Sequence, residues 1–271
     1  MAIEKIKRLR EQTGAGFLDV KQALEKHHGD EEKALAFLRS QLSKETENIR
    51  VASKGAIEIV VKDNQAVIFE VIAETDFITK NEHYQNLLKI IGETIHNLKI
   101  RSTEEALATH IQEKSIEEHI RYVGGLVKEN VSLRRYLRIY KQSEDVFGFY
   151  KHPNGKYVSL VILNNGTEED ARKLALQIVA NDIKWMRVED IDPIIIEAEK
   201  ARFYKINIGA NEANFNNHLR SLALLSQILL GNETKTVEKY LLENQMEVID
   251  FYRLELGEDI ENKLNCRIDF N

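Results

Sequence analysis

Apolar positions recur at three- and four-residue spacing through the first part of the chain, as Ile3, Ile6 and Leu9, then Val20, Ala23 and Leu24, then Ala34, Leu35 and Leu38. Each set marks one face of a short helix, and Gly14, Gly16 and Gly29 punctuate them. Gly29 suits a helix C-terminus; Asp30 suits the N-cap of the third helix, with Glu31 and Glu32 in its first turn. The pattern predicts a compact three-helix module of about fifty residues, and the polar stretch 43–54 that follows reads as a linker.

The pattern then changes. Residues 55–62 and 65–74 read as a hairpin turned at Asp63 and Asn64, whose second strand carries Val67, Ile68, Phe69, Val71 and Ile72. A helix is predicted over 82–98, with Tyr84, Leu87, Leu88, Ile91, Ile95 and Leu98 on one face. Another spans about 116–130, opened by a capping box of Ser115 and Glu118. A strand over 131–141 closes the unit, with Arg134, Tyr136, Arg138 and Tyr140 on one face and Leu133, Leu137 and Ile139 on the other.

The order strand, strand, helices, strand then returns. Strands at 146–152 and 156–163 flank Pro153, Asn154 and Gly155, and a helix begins at Glu168 with Thr167 as cap and Asp170 in the box position. A helix over 236–244 and a strand over 246–257 follow. The expected fold class is α+β: two similar subdomains, 55–141 and 142–271, each an antiparallel sheet with helices on one face, behind the module and linker at 1–54. Residues 193–230 read as an inserted helical hairpin broken near Gly209, with Leu222, Leu225, Ile228 and Leu229 on a helix face that packs in the core or dimerises.

Composition narrows the function. Against 38 basic side chains stand 44 acidic ones, and a net charge of -6 argues against neutralisation of nucleic-acid phosphates as the main task. The alternation of Arg and Tyr over 134–140 therefore reads as a solvated sheet face rather than an RNA platform. A single cysteine, Cys266, excludes an internal disulfide framework, and no Cys/His set has zinc-site spacing. No apolar run reaches the length of a membrane span, and residues 1–12 form a charged amphipathic pattern rather than a signal peptide. The chain reads as cytoplasmic, with a protein as its partner and no cofactor, metal or membrane.

The run Thr75, Asp76, Phe77, Ile78, Thr79, Lys80, Asn81 sets an aromatic beside a carboxylate between an apolar strand and a helix. A short turn held at both ends can project Phe77 and Asp76 outward with little conformational entropy left to lose on binding. From these residues alone, an N-cap with a core Phe is the favoured fit, since Asp and Thr before a helix are ordinary capping chemistry.

The phrase TDFITKN resembles the signature of bacterial elongation factor Ts, and Thr13 to Gly16, within a longer match running from Leu9 and Arg10 to Ala34, resembles that family's other hallmark. Gly148, Tyr150 and His152 match its hairpin, and Lys235 to Val237 with the strand 248–257 match its closing helix and strand. The resemblance implies a guanine nucleotide exchange factor for elongation factor Tu, an exchange catalyst with no covalent chemistry. It implies that Thr75, Asp76, Phe77 and Ile78 enter the partner near its magnesium site and displace Mg2+ so that GDP leaves and GTP binds. It also implies partner contacts at Arg10, Gly14, Ala15, Phe17, Leu18 and His152, with the GDP-bound and nucleotide-free partner both engaged and no nucleic acid bound directly.

The sequence departs from the family in two places. Lys128 stands where a glycine usually precedes the Glu129–Asn130 pair, and residues 209–230 lack the Gly-Arg element of a longer hairpin. A different reading makes the chain an adaptor working through its first module, which resembles ubiquitin-associated (UBA-like) domains in size. A hydrolase built on Asp76 and His152 lacks a phosphate loop, a metal set and a nucleophile motif.

Overall fold

The computed structural model describes residues 5–6, 8–9, 17–45, 54–98, 100, 102–232 and 234–258, with the backbone alone at 17–19 and 39–45. The chain divides into two compact units, one of Met1–Val60, Val67–Arg138 and Leu256–Asn271, the other of Val61–Ala66 and Ile139–Glu255.

In the first unit, helices α1 (Phe17–Lys26) and α2 (Glu31–Glu45) pack their apolar stripes together. Val20, Ala23, Leu24, Ala34 and Leu38 form one buried cluster with Ile6 and Leu9. Gly29 adopts φ +81°, and its N–H reaches Leu24 O at 2.7 Å, which closes α1 as a left-handed cap. Asp30 opens α2: its carboxylate accepts the Lys33 N–H at 3.1 Å, and that bond holds the carboxyl below its usual range.

Strands β1 (Lys54–Lys62), β2 (Gln65–Ala73) and β5 (Ser132–Tyr140) form a three-stranded sheet in the order β1-β2-β5. The turn between β1 and β2 passes through Asp63 at φ 53°, a left-handed position that aspartate tolerates. Helices α3 (Glu82–Asn97), α4 (Thr103–Ala108) and α5 (Ile116–Val127) bring Tyr84, Leu87, Ile91, Ile95, Ile116 and Ile120 against Val67, Phe69 and Val71 of β2. A two-residue ladder of β3 (His110–Ile111) and β4 (Lys114–Ser115) leads into α5. There Ser115 and Glu118 complete the expected capping box.

The solvated face expected on β5 is corrected by the structure. Tyr136 packs against the helical core, Arg134 lies 2.9 Å from Glu70, and Tyr140 alone of the four is exposed. Arg138 donates to the carbonyls of Ile95, of His96 at 3.4 Å and of Leu98 at 2.5 Å, where the end of α3 leaves acceptors without helical donors. Long cationic stems can cover apolar surface while their heads find polar partners, so alternation alone did not distinguish this strand from a wet one.

In the second unit, β6 (Asp145–Lys151), β7 (Tyr157–Asn164) and β8 (Glu247–Glu255) form an antiparallel sheet in the order β6-β7-β8. Helices α6 (Glu168–Ala180) and α9 (Val237–Glu243) bury Ala171, Leu174, Ala175, Ile178, Val237 and Leu241 with Val161, Leu163 and Phe251. The Thr167–Asp170 box opens α6, and the Tyr240 hydroxyl donates to Asp170 at 2.8 Å. Burial first, and this carboxylate second, push the Tyr240 phenol up to about 12.

Gly148 sits where α6 comes closest to the sheet: a Cβ there would stand 2.2 Å from Arg172 N and 2.3 Å from Ala171 C. Those are backbone atoms, so the helix itself would have to move. Gly148→Ala is expected to destabilise the protein by about 1–3 kcal/mol, read as a lower urea midpoint.

The inserted hairpin consists of α7 (Pro193–Ile206) and α8 (Glu212–Leu222), joined through Gly209 at φ +85°. Phe215 and Leu219 bury themselves with Ile191 against Trp185, Phe203 and Tyr204. The second arm stops at Leu222, which corrects the expected helix through residue 230. Beyond it, Leu224 N–H bonds to Trp185 O at 2.9 Å and Leu225 N–H to Met186 O at 3.1 Å, with a parallel bridge between Trp185 and Ala223. Leu224 and Leu225 enter the core of the unit while Ile228 and Leu230 stay exposed. The run is therefore an irregular segment buried only at its start, with no helix face for dimerisation. A short continuous apolar stretch fits either geometry, and the tertiary bonds decide it.

Candidate functional site

The chain leaves β2 at Ala73 and makes a single 3-10 turn over Asp76–Lys80 before α3. Asn81, rather than Asp76 or a threonine, caps the helix: its side chain accepts from His83 N–H at 2.9 Å and Tyr84 N–H at 3.4 Å. Ile78 is 2% exposed and joins the core cluster, whereas Phe77 is 79% exposed. The core position of this turn thus belongs to Ile78, and the aromatic beside it points into solvent with Asp76, which is also exposed.

The support beneath Phe77 is specific. Thr79 Oγ1 donates to Asp76 O at 2.7 Å, and Gln85 Nε2 donates to Thr79 O at 2.6 Å. Tyr84, one turn into α3, donates its hydroxyl to Val71 O at 2.7 Å and so ties the helix to the strand that feeds the turn. Burial pushes this phenol well above its usual range and keeps it a donor.

On the other side lies a residue that sequence reasoning noted only as part of a departing motif. Glu129 accepts the Thr75 N–H at 2.9 Å through one carboxylate oxygen and the Thr75 hydroxyl at 2.5 Å through the other. Glu74 returns a bond of the same kind, accepting the Asn130 N–H at 3.3 Å. The two segments are clasped just before the exposed aromatic. Nothing near Glu129 in the sequence points to this clasp, because the partners lie 54 residues apart.

Lys128 sets up that clasp. It occupies the left-handed region at φ 58°, ψ 38°, and ends α5, while Glu129 N–H reaches back to Gly124 O at 3.1 Å. A side chain with a Cβ is strained there, and glycine is not. Lys128→Gly is expected to stabilise the protein by about 1 kcal/mol, visible as a higher urea midpoint with the clasp intact.

His152 immediately follows β6 in the second unit. Its ring makes edge contacts with Tyr150 and Tyr157, at centroid distances of 6.3 and 6.1 Å, and its Nδ1 accepts the Asn154 N–H at 3.3 Å. In the neutral ring that bond leaves the proton on Nε2. Arg10, Gly14 and Ala15, and the side chains of Phe17 and Leu18, lie outside the described residues. Among the described residues no cluster of His, Cys, Asp or Glu could hold a metal ion, and no helix is long and apolar enough to cross a membrane.

Comparison with known proteins gives this geometry a family. The family model described as elongation factor TS matches residues 74–258, a span that contains the turn, the clasp and the His152 hairpin. The elongation factor Ts of Acholeplasma laidlawii is 34% identical over 277 residues, covering 96% of this chain and 94% of the relative. That of Phytoplasma australiense is 33% identical over 266 residues, covering 92% of this chain and 96% of the relative. With both the turn and nearly the whole length accounted for, the chain belongs to the elongation factor Ts family of translation elongation factors.

Proposed function

We propose that this protein is the guanine nucleotide exchange factor of elongation factor Tu, acting in the cytoplasm by binding rather than by covalent chemistry. The observation that carries the reading is Phe77, 79% exposed on a turn pinned by Ile78, Asn81 and Glu129. A rigid aromatic presented in this way supplies large contact area for little ordering entropy.

Exchange follows from linkage. A factor that binds the empty partner more tightly than the GDP-bound one weakens GDP binding by the same ratio. Phe77 and Asp76 enter the partner's nucleotide domain and shift the groups that hold Mg2+, and losing the divalent charge removes much of the attraction for the β-phosphate. Thr75 and Ile78 hold the turn in place for that entry. Arg10, Gly14, Ala15, Phe17 and Leu18 of the first module, residues 1–54, dock on the partner, and His152 of the subdomain 142–271 contacts it as well; residues 55–141 carry the turn.

The test is stopped-flow release of a fluorescent GDP analogue from elongation factor Tu of the same organism at fixed magnesium. Acceleration by this protein is the expected result. A folded protein that leaves the rate unchanged would refute the proposal.

A further inference from the structure

We infer that Glu129 is a positioning residue for nucleotide release: it acts through Thr75 and holds the turn so that Phe77 enters the partner already oriented. The inference rests on the exchange reading above and goes beyond it, because Glu129 need never touch the partner.

Three observations support it. First, both carboxylate oxygens are used on one residue, the Thr75 N–H at 2.9 Å and the Thr75 hydroxyl at 2.5 Å, which fixes backbone and side chain together. A bidentate, charge-assisted arrangement of this kind restrains orientation as well as distance. Second, the reciprocal bond from Asn130 N–H to Glu74 makes the attachment two-sided, so rotation of the turn about a single contact is blocked. Third, among the described residues little else holds the turn on that side. Its internal bonds, Thr79 to Asp76 and Gln85 to Thr79, tie it to itself and to α3, and Ile78 anchors its centre. Thr75 is the last residue before the turn, and Phe77 lies only two residues on, so freedom at Thr75 becomes displacement of the ring.

Pre-organisation of this sort changes the rate of the productive step more than the encounter, since the bulk of the docking surface is untouched. Loss of the clasp should therefore reduce the maximal rate of stimulated GDP release while the half-saturating concentration stays nearly constant. A purely structural residue would instead lower stability and change both parameters together.

The experiment combines amide hydrogen exchange over residues 75–80 of the free protein with saturation curves of GDP release for Glu129→Ala, Glu129→Gln, Thr75→Val and Phe77→Ala. Glu129→Ala should speed exchange of those amides about tenfold or more, leave the amides of β2 unchanged, and lower the maximal release rate about tenfold. Glu129→Gln keeps an acceptor for the Thr75 N–H and should recover most of both losses. Thr75→Val should lose part of each, and the double variant should be no worse than Glu129→Ala alone, because both changes cut the same connection. Unchanged amide exchange in Glu129→Ala, or an unchanged maximal rate while Phe77→Ala abolishes release, overturns the inference and leaves the exchange reading standing. An unchanged rate in Phe77→Ala overturns the inference and places the driving contact elsewhere, whereas no acceleration by the unsubstituted protein overturns the exchange reading and the inference with it. If Glu129→Ala does not fold, Thr75→Val, which removes one hydroxyl, decides by the same two readouts.

Discussion

Phe77→Ala is expected to abolish most of the stimulated release of GDP and to leave the protein folded. The two halves of that expectation come from the same number: a side chain 79% exposed contributes little to the core, so its truncation should change stability by no more than about 0.5 kcal/mol. At an interface, by contrast, removing an aromatic that fills a pocket commonly costs about 2–4 kcal/mol, which corresponds to roughly a 30- to 1000-fold loss of whatever the insertion drives. The relevant quantity is the maximal release rate, because docking through other surfaces persists. An unchanged urea midpoint with a collapsed rate is the expected pair of results. A normal rate would place the driving contact elsewhere, and a collapsed midpoint would show that the ring supports the fold.

The parts of this molecule that could be read in the sequence are those whose partners are near in the chain. The Ser115–Glu118 and Thr167–Asp170 boxes, the turn at Asp63 and the left-handed Gly29 all depend on residues within a few positions of each other. The exposed Phe77 was legible for a mixed reason. Local residues favour a capping turn with a core Phe, whereas the resemblance favours a presented one. What breaks the tie physically is that Asn81 supplies the cap and Ile78 the core contact, leaving Phe77 with neither task.

The misreadings have one cause. Alternation along β5 marks which residues share a face, but it carries no information about what lies over that face; Arg138 finds helix carbonyls and Tyr136 finds the core. The leucines after Leu222 recur at helical spacing, yet the backbone donors of that run reach Trp185 and Met186 instead. Glu129 was invisible for the same reason, since a carboxylate near a helix end looks like solvated charge until the topology brings Thr75 to it.

Glu70 is the most demanding of these long-range residues, and Glu70→Ala is expected to destabilise the protein by about 3–5 kcal/mol. The carboxylate sits in the middle of β2 at 0% exposure, flanked by strand residues that are themselves buried. Arg135 Nε approaches one oxygen at 2.5 Å; Arg134 Nη1, at 2.9 Å, and the Gly257 N–H, at 2.8 Å, meet the other. Arg135 is 4% exposed, so truncating Glu70 takes from a buried guanidinium a counter-charge that water cannot replace. Net stability of a folded protein is about 5–15 kcal/mol, and a loss of this size is a large part of it. The measurement is the urea midpoint by far-UV circular dichroism. Glu70→Gln keeps an acceptor for the backbone N–H and should fall between the two. Replacing Glu70 and Arg135 together by leucine is the informative control. If the penalty of the single variant comes from stranded charge, the double variant should recover most of it, because apolar replacement of a whole buried pair is often neutral or stabilising. If the double variant is as unstable as the single one, the pair contributes through its three-way hydrogen bonding to Arg134 and Gly257, and strand order rather than charge balance is what Glu70 secures.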